Sequence, residues 1–348
     1  MSRFGCALAA LAAASCAHGP PATTTAPAAT TAPATATTHA GRPGTVRDAT
    51  LHSDALGVDK RYRVWLPAGY DDADGARRYP VIYMLHGFAC TERDWIDRGH
   101  LDAAAQSIDL QAIVVMPDGD GSFYADAATA ADYDACMHGP LHPAIRTDET
   151  RDSFCVRRAD YERYIVDDLI AHVDATYRTV AERRGRAIGG FSMGGFGALS
   201  LALRHRELFV SAASHSGVVA LLYAGPHPYR SGRAQLVDDL PRWVERLGQM
   251  GLLLRYVFGT DLGNWRAHDP ATLAGSLHDG ELALYIDCGT EDQLMLETAA
   301  AYLHDVLLAR GVRHHFALVP GRHDFALWSA RVADSLAFHQ RQFQAAGL

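Results

Sequence analysis

A serine between glycines is the residue of this chain best suited to nucleophilic chemistry. Ser192 lies in the run Gly-Gly-Phe-Ser-Met-Gly-Gly at residues 189–195, with an apolar strand pattern before it and a helical pattern after it. A serine on a sharp strand-to-helix turn needs small residues two places to either side, and Gly190 and Gly194 supply them. The helix N-terminus would also stabilise negative charge that develops nearby. A bare Gly-x-Ser-x-Gly also occurs in glycine-rich turns, but this placement predicts a nucleophile at Ser192.

A serine nucleophile needs a base, and the base needs an acidic partner that orients it. His323 follows the last predicted strand and precedes the C-terminal helix, which favours it as the base. Asp292, in the loop after the preceding predicted strand, is the predicted acid, with Glu291 as the fallback. Other histidines are placed less well, because His314 and His315 start a strand and His339 falls on the apolar stripe of a helix.

The same chemistry needs backbone donors for an oxyanion. A His-Gly pair, His86 and Gly87, follows a predicted buried strand, where glycine lets the backbone approach a substrate. We expect the N–H groups of Phe88 and Met193 to form the oxyanion hole.

Short apolar runs alternate with helical patterns over most of the chain, which predicts an α/β fold with a mostly parallel sheet and helices on both faces. The predicted strands cover residues 62–66, 81–85, 112–116, 186–190, 210–216, 282–287 and 314–319. Apolar residues at three- and four-residue steps predict helices at about 165–177, 302–307 and 325–343, and a helix after Ser192. These helices separate the later strands.

Two stretches interrupt the alternation, at about residues 122–158 and 217–273. The first is polar, and the second contains several prolines and tryptophans around one helical pattern. Loops of this length inside a compact domain are usually functional, here as walls or a lid over the pocket; covering sheet edges is the alternative.

The N-terminus has the composition of an export signal, with Arg3 followed by an apolar stretch to Ala14 and small residues before Cys16. Residues 1–16 are predicted as this signal, and Cys16 is a candidate for lipidation, with plain cleavage as the alternative. Residues 17–43, nearly all Ala, Thr and Pro, are predicted to be a disordered tether. The remainder, 44–348, is predicted as one domain with two insertions. We expect a location in the bacterial cell envelope or outside the cell.

Cysteine usage and charge exclude several classes of protein. Cys136 and Cys155 are close enough in sequence to form a disulfide, whereas Cys90 and Cys288 are expected to be buried free thiols. No motif indicates a metal or a cofactor.

The chain carries 32 basic and 40 acidic residues, a net charge of −8, and Lys60 is its only lysine. With no basic block, nucleic acid is not an expected partner.

These motifs resemble the esterase family of α/β-hydrolases that includes esterase D (S-formylglutathione hydrolase), tributyrin-type and feruloyl esterases and the antigen 85 mycolyltransferases. The matching phrases are Arg-Val-Trp-Leu-Pro at 63–67, Tyr-Pro-Val-Ile-Tyr-Met-Leu-His-Gly at 79–87, Met-Pro-Asp-Gly at 116–119, Gly-Thr-Glu-Asp at 289–292 and His-Asp-Phe at 323–325. The resemblance implies the same triad of Ser192, Asp292 and His323, and it places Cys90 near the pocket. The export signal and the insertion with Cys136 and Cys155 depart from it, which argues against a glutathione-thioester substrate.

The sequence therefore predicts a serine hydrolase of carboxylic esters, acting through an acyl-enzyme on short-chain or carbohydrate-linked acyl esters. The alternatives are transfer of the acyl group to a sugar or lipid alcohol, and a silent binding protein on the same scaffold. His86, Cys90, Tyr124 and Trp265 are candidates for the substrate pocket; in the binding protein, Tyr124, Trp243 and Trp265 would line a groove. The acyl and alcohol parts of the substrate and the oligomeric state are left open.

Overall fold

One mixed sheet organises the chain. The computed structural model describes residues 43–72, 75–140 and 150–348, and within them eight strands pair in the order β1-β2-β4-β3-β5-β6-β7-β8. The strands are β1 (Thr45–Ser53), β2 (Val58–Leu66), β3 (Val81–Leu85), β4 (Ile113–Pro117), β5 (Arg186–Phe191), β6 (Ser211–His215), β7 (Ala283–Gly289) and β8 (His315–Val319). β2 is antiparallel to both of its neighbours, β1 and β4, and all pairings from β4 to β8 are parallel. The predicted mostly parallel sheet is confirmed.

Helices connect these strands and flank the sheet. They are α1 (Asp94–Asp97), α2 (Leu101–Ser107), α3 (Tyr133–His138), α4 (Arg151–Phe154), α5 (Tyr161–Arg163), α6 (Ile170–Thr176), α7 (Met193–Arg204), α8 (Leu240–Leu247), α9 (Gln249–Phe258), α10 (Leu262–His268), α11 (Pro270–Ala274), α12 (Leu296–Ala309) and α13 (Phe325–Ala345). A π-helical segment, Tyr164–Leu169, joins α5 to α6.

The core lies on both faces of the sheet, because successive strand residues point to opposite sides. In β3, Tyr83 packs in one apolar cluster with the helices before and after β5, whereas Met84 packs in the other with α2 and α13. All residues of β3, β4 and β5 are buried, which explains why their sequences are apolar apart from Arg186 at the start of β5. The ends of these three strands are therefore held firmly, and the loops that follow them start from fixed positions.

Each predicted strand corresponds to an observed one, but β1 was missed and the second insertion was underestimated. β1 is an edge strand in which only Leu51 and Ser53 are buried, so it has no apolar pattern to detect. Residues 217–273 contain four helices, α8 to α11, instead of one helical pattern.

The first insertion carries the disulfide that its sequence suggested. Cys136 and Cys155 are bonded and are separated by 19 residues, so the bond ties α3 to the end of α4. The predicted export signal, Cys16 and most of the Ala/Thr/Pro tether lie outside the described residues. Among the helices that are described, none is both long and apolar enough to cross a membrane.

Candidate active site

The turn after β5 holds Ser192 in a conformation that few side chains adopt. Its φ is 54° and its ψ is −118°, and such strain in a residue other than glycine is concentrated at functional sites. The neighbouring glycines are required by space: a Cβ on Gly190 would lie 2.4 Å from the Gly194 carbonyl oxygen, and one on Gly194 would lie 2.3 Å from the Leu85 carbonyl oxygen. The close packing of strand and helix expected around Gly190 and Gly194 is thus present. The turn holds the serine at the carboxyl edge of the sheet.

Ser192, His323 and Asp292 form one hydrogen-bonded chain. The Nε2 atom of His323 lies 2.9 Å from Ser192 Oγ, and its Nδ1 atom lies 2.8 Å from Asp292 Oδ2. With the proton on Nδ1 donated to the carboxylate, Nε2 is free to accept the serine proton. All three side chains are buried, at 6%, 3% and 6% exposure respectively, so the chain is shielded from competing water.

Further contacts orient the acid and the base. The N–H of Leu294 donates to Asp292 Oδ1 at 2.8 Å, and the N–H of His323 donates to Gln293 Oε1 at 2.8 Å. Glu291, the fallback acid, is exposed, and its backbone N–H donates to the Gly321 carbonyl. The structure therefore brings Asp292, and not Glu291, to His323.

A buried thiol lies behind the acid. Cys288 is free, as expected, and its Sγ donates to Asp292 Oδ2 over 3.6 Å. Burial, reinforced by the Asp292 carboxylate, raises the pKa of this thiol well above its ordinary value. Cys288 consequently stays protonated as a donor to the acid and is a poor nucleophile itself.

The expected oxyanion donors lie on either side of Ser192. Met193 is the first residue of α7, where backbone N–H groups have no acceptor within the helix. Phe88 belongs to the loop after β3. The preceding Gly87 is close to the strand-to-helix turn that holds Ser192, called the elbow below, because a Cβ on Gly87 would lie 3.4 Å from Ser192 Cβ. Both residues thus adjoin the turn that holds Ser192, and their role as oxyanion donors stays a prediction.

His86 lies beneath this loop as a support and not in a substrate pocket. Its side chain is buried, with Nδ1 2.8 Å from the Gly87 carbonyl oxygen and Nε2 2.8 Å from the Gly119 nitrogen. Since the Gly119 N–H must donate to Nε2, the imidazole proton is on Nδ1 and is donated to Gly87. The Gly87 carbonyl and the Phe88 N–H belong to one planar peptide unit, so His86 also sets the direction of the Phe88 donor.

The only lysine of the chain anchors the next loop. Lys60 is fully buried, and its Nζ donates to Asp118 at 2.9 Å, to Asp120 at 2.8 Å and to the Ser153 carbonyl at 2.8 Å. Burial opposes the charged form of Asp118, but the Lys60 ammonium holds the pKa of that carboxyl below its usual range. Burial and the Asp118 carboxylate raise the pKa of Asp120 to about 6. This cluster joins β2, the loop after β4 and the first insertion, a role that composition alone did not suggest.

A second histidine–aspartate pair went unnoticed in the sequence. His215 Nδ1 lies 2.8 Å from Asp287 Oδ1, and His215 Nε2 lies 2.8 Å from Ser335 Oγ, all with no more than 1% exposure. His215 ends β6 and Asp287 lies near the end of the adjacent strand β7, so the placement of both at neighbouring strand ends was the available signal. The backbone carbonyl of His215 accepts from the Ser192 N–H at 2.9 Å, so the pair supports the elbow.

The other candidates for a substrate pocket are placed differently from expectation. Tyr124 is 1% exposed, and its hydroxyl bonds to the backbone N and O of His86 at 2.9 and 3.1 Å. Trp265 has no exposed surface and donates to the Gly259 carbonyl, and Trp243 donates to the Leu221 carbonyl. The expectation that Tyr124 and Trp265 line a pocket or groove was wrong, because both are buried and their polar atoms are used within the core. Trp243 is half-buried, and its place in a groove stays untested.

The expectation for one cysteine also failed. Cys90 is buried, 4% exposed, but it is disulfide-bonded and therefore not a free thiol. Its partner lies outside the described residues. Across the described ranges, no group of three or more His, Cys, Asp or Glu side chains is arranged to hold a metal ion.

A serine elbow after β5, an acid after β7 and a histidine after β8 on a mostly parallel sheet define an α/β-hydrolase. The chain belongs to the esterase family: the family model described as "Putative esterase" matches residues 53–339. The class was thus predicted correctly from the motifs around Ser192, Asp292 and His323.

Individual relatives agree with this assignment. The chain is 32% identical over 172 residues to Esterase Rv1288 of Mycobacterium tuberculosis, which is 49% of this chain and 32% of that protein. It therefore spans about a third of the length of this curated relative. Among solved structures, an S-formylglutathione hydrolase from Agrobacterium tumefaciens aligns with a TM-score of 0.63 and 20% identity over 86% of this chain and 96% of its own. A ferulic acid esterase aligns with a TM-score of 0.58 and 23% identity over 86% and 99%. These two show the shared fold.

Proposed function

We propose that the protein is a serine hydrolase of carboxylic esters that works through an acyl-enzyme. The observation that carries this proposal is the hydrogen-bonded chain from Ser192 Oγ through His323 to Asp292, with the serine held at a φ of 54°. Membership of the esterase family supports it.

The proposed steps use this hydrogen-bonded chain. Ser192 Oγ attacks the ester carbonyl while its proton passes to His323 Nε2, and Asp292 stabilises the imidazolium through Nδ1. The N–H groups of Phe88 and Met193 hold the oxyanion. His323 then gives the proton to the departing alcohol, which leaves Ser192 acylated. Water, deprotonated by His323, attacks this second ester, and the carboxylic acid leaves as Ser192 regains its proton.

Short-chain esters and acyl esters of carbohydrates are the proposed substrates. Solved structures of the same fold include a protein named ferulic acid esterase, and a curated relative from Xylanibacter ruminicola is named endo-1,4-beta-xylanase/feruloyl esterase. Both of these proteins are named for the hydrolysis of ferulic acid esters. A membrane-attached or periplasmic location is proposed from the predicted signal and Cys16. The disulfide of Cys136 and Cys155 supports an oxidising compartment.

Replacement of Ser192 by alanine tests the proposal, because it removes only the hydroxyl oxygen. We expect Ser192→Ala to lower kcat for a short-chain chromogenic ester by roughly 10⁶-fold, as loss of the serine does in other triads, with unchanged thermal unfolding. Ser107→Ala, an exposed serine on α2, is the matched control and should keep wild-type turnover. A fluorophosphonate should label the wild type and the control, but not Ser192→Ala. Turnover that survives Ser192→Ala would overturn the proposal.

Product analysis with an added sugar or lipid alcohol separates hydrolysis from acyl transfer.

A further inference from the structure

The carboxylate of Asp292 accepts hydrogen bonds from three parts of the chain. Its Oδ1 atom accepts from the N–H of Leu294, within its own loop, at 2.8 Å. Its Oδ2 atom accepts from His323 Nδ1 at 2.8 Å and from the thiol of Cys288 at 3.6 Å, a length usual for the larger sulfur atom. The oxygen that orients the histidine is therefore also the oxygen that the thiol contacts.

The backbone fixes the direction of this thiol. Cys288 is the next-to-last residue of β7, which pairs with β6 on one side and with β8 on the other. Successive side chains of a strand point to opposite faces, so Asp287 bonds to His215 on one face and Cys288 points to the other. On that face it packs in the apolar cluster that also contains Leu303 of α12. The sheet, and not the loop of Asp292, thus holds the sulfur in place.

The surroundings of the thiol keep its proton on sulfur. Cys288 has no exposed surface, and burial raises its pKa well above the ordinary value. The carboxylates of Asp292 and Glu297 raise this pKa further, and the Ser216 hydroxyl opposes them only in part. The thiol therefore stays a hydrogen-bond donor, and does not become an anion, over the pH range in which a serine–histidine pair works.

We propose that Cys288 is a positioning residue for the triad, and that its S–H group sets, through Asp292, the pH range over which His323 acts as a base. A donor to Oδ2 draws negative charge from the oxygen that stabilises the imidazolium. Without this donor, the carboxylate would stabilise the imidazolium more strongly, and His323 would hold its second proton up to a higher pH. This inference rests on the proposed function and concerns the same site.

Three substitutions of Cys288 separate hydrogen-bond donation from packing. Cys288→Ser keeps a donor, Cys288→Val keeps an apolar side chain of similar volume without a donor, and Cys288→Ala loses both. For the purified full chain, kcat/KM for 4-nitrophenyl acetate would be measured from about pH 5 to about pH 9, where the acid limb reports protonation of the base.

The expected shift follows from the weakness of a thiol as a donor. A full hydrogen bond to a charged group would move the acid limb by about one pH unit or more, and a thiol donates less strongly. We expect the limb to move to higher pH by about half a unit in Cys288→Val and in Cys288→Ala. In Cys288→Ser it should stay within about 0.2 units of the wild type or move to lower pH, because the hydroxyl restores the donor.

Controls address other causes of a shift. Ser200→Ala removes a different buried donor, which bonds to the His268 carbonyl at 2.9 Å, and should lower stability without moving the acid limb. Burial raises the pKa of Glu297, so this carboxylate can titrate in the same range. The shift caused by Cys288→Val should therefore persist in a Glu297→Gln background. The pH dependence of fluorophosphonate labelling, which needs the triad but no ester, should shift equally.

Several outcomes would overturn the inference. One is a shift in Cys288→Ala alone, which would assign the effect to packing, and another is an acid limb that stays in place in all three variants. Equal shifts in Cys288→Ser and Cys288→Val would show that donation to Asp292 is not the cause. Thermal unfolding shows which variants are folded; if Cys288→Val is not, a shift in Cys288→Ala that Cys288→Ser lacks supports the same conclusion. Failure of the proposed function is seen separately, as acetate hydrolysis that does not depend on Ser192.

Discussion

His215 and Asp287 form a buried pair, with Nδ1 2.8 Å from Oδ1, one strand away from the pair of His323 and Asp292. The two pairs have the same atoms at the same separation, yet only His323 faces the strained serine. The Nε2 atom of His215 meets Ser335 on α13, which is fully buried and whose hydroxyl also donates to the Val332 carbonyl. The His215 pair therefore holds the base of the elbow in place and has no path to a substrate.

Loss of His215 should weaken both the fold and the elbow. We expect His215→Ala to lower the free energy of unfolding by about 1–3 kcal/mol and to lower kcat, because Asp287 Oδ1 then lacks its buried donor. Tyr285 and Arg331 still bond to Asp287 Oδ2. Urea unfolding and the rate of fluorophosphonate labelling measure the two effects. His52→Ala is the control, since His52 pairs with Asp59 at 2.7 Å but is 61% exposed, and it should be near neutral. Equal effects of the two substitutions would show that burial of the His215 pair is unimportant.

His86 bonds to the peptide unit between Gly87 and Phe88, so we expect its loss to lower kcat. His86→Leu removes the donor to the Gly87 carbonyl, so the Phe88 N–H loses its fixed direction. We expect kcat to fall about 10- to 100-fold with KM nearly unchanged, because full loss of one oxyanion donor costs about 10²–10³. Affinity for a trifluoromethyl ketone analogue of the transition state should fall in parallel. His172→Leu, which removes a half-buried histidine bonded to Tyr62, should leave both values near wild type. A rise in KM without a fall in kcat would contradict this role.

Because Lys60 is buried and paired with two carboxylates, we expect its removal to lower the free energy of unfolding strongly. Lys60→Met leaves the carboxylates of Asp118 and Asp120 buried without a cation, which we expect to cost about 3–5 kcal/mol. Adding Asp120→Asn should recover part of that loss in denaturant unfolding, because one of the stranded charges is removed. Arg47→Met breaks an ion pair with Asp71 in which both side chains are about half exposed, and should cost no more than about 1 kcal/mol. A Lys60 variant as stable as the Arg47 variant would contradict the importance of this cluster.

The residues of the triad could be predicted because the signals that mark them are local in the sequence. Ser192, Asp292 and His323 were predicted because each one follows a strand whose residues are apolar, and the ends of parallel strands share one edge of a sheet. Trp265 and Tyr124 were misplaced because a large aromatic side chain has the same appearance in a core as in a pocket. Their hydrogen bonds to distant backbone groups are set by tertiary packing.

The partners of Lys60 were hidden for a related reason. Lys60, Asp118 and Ser153 are far apart in the chain, and they meet only because β2 pairs with β4 and the first insertion folds back over both. β1 was missed for the opposite reason: as an edge strand it buries too little to leave an apolar pattern. What the sequence does not reveal is thus the set of contacts made across strands and insertions.

Asp120 should make the stability of the protein depend on pH in a mildly acidic window. Burial and the Asp118 carboxylate raise its pKa from 3.8 to about 6, so between these values the folded state binds more protons than the unfolded state. The contribution of Asp120 to stability must then fall as pH rises from about 4 to about 6, and a difference of one between the folded and unfolded pKa values corresponds to about 1.4 kcal/mol. Asp120→Asn does not titrate, so the difference in free energy of unfolding between this variant and the wild type should move in favour of the variant across the window. Denaturant unfolding of both proteins at about pH 4.5, 5.5 and 7 samples the window and the range above it, and measures this difference. Asp152→Asn, which changes an exposed acid in α4, is the control. A difference between wild type and Asp120→Asn that is constant with pH would mean that Asp120 keeps an ordinary pKa in the folded protein.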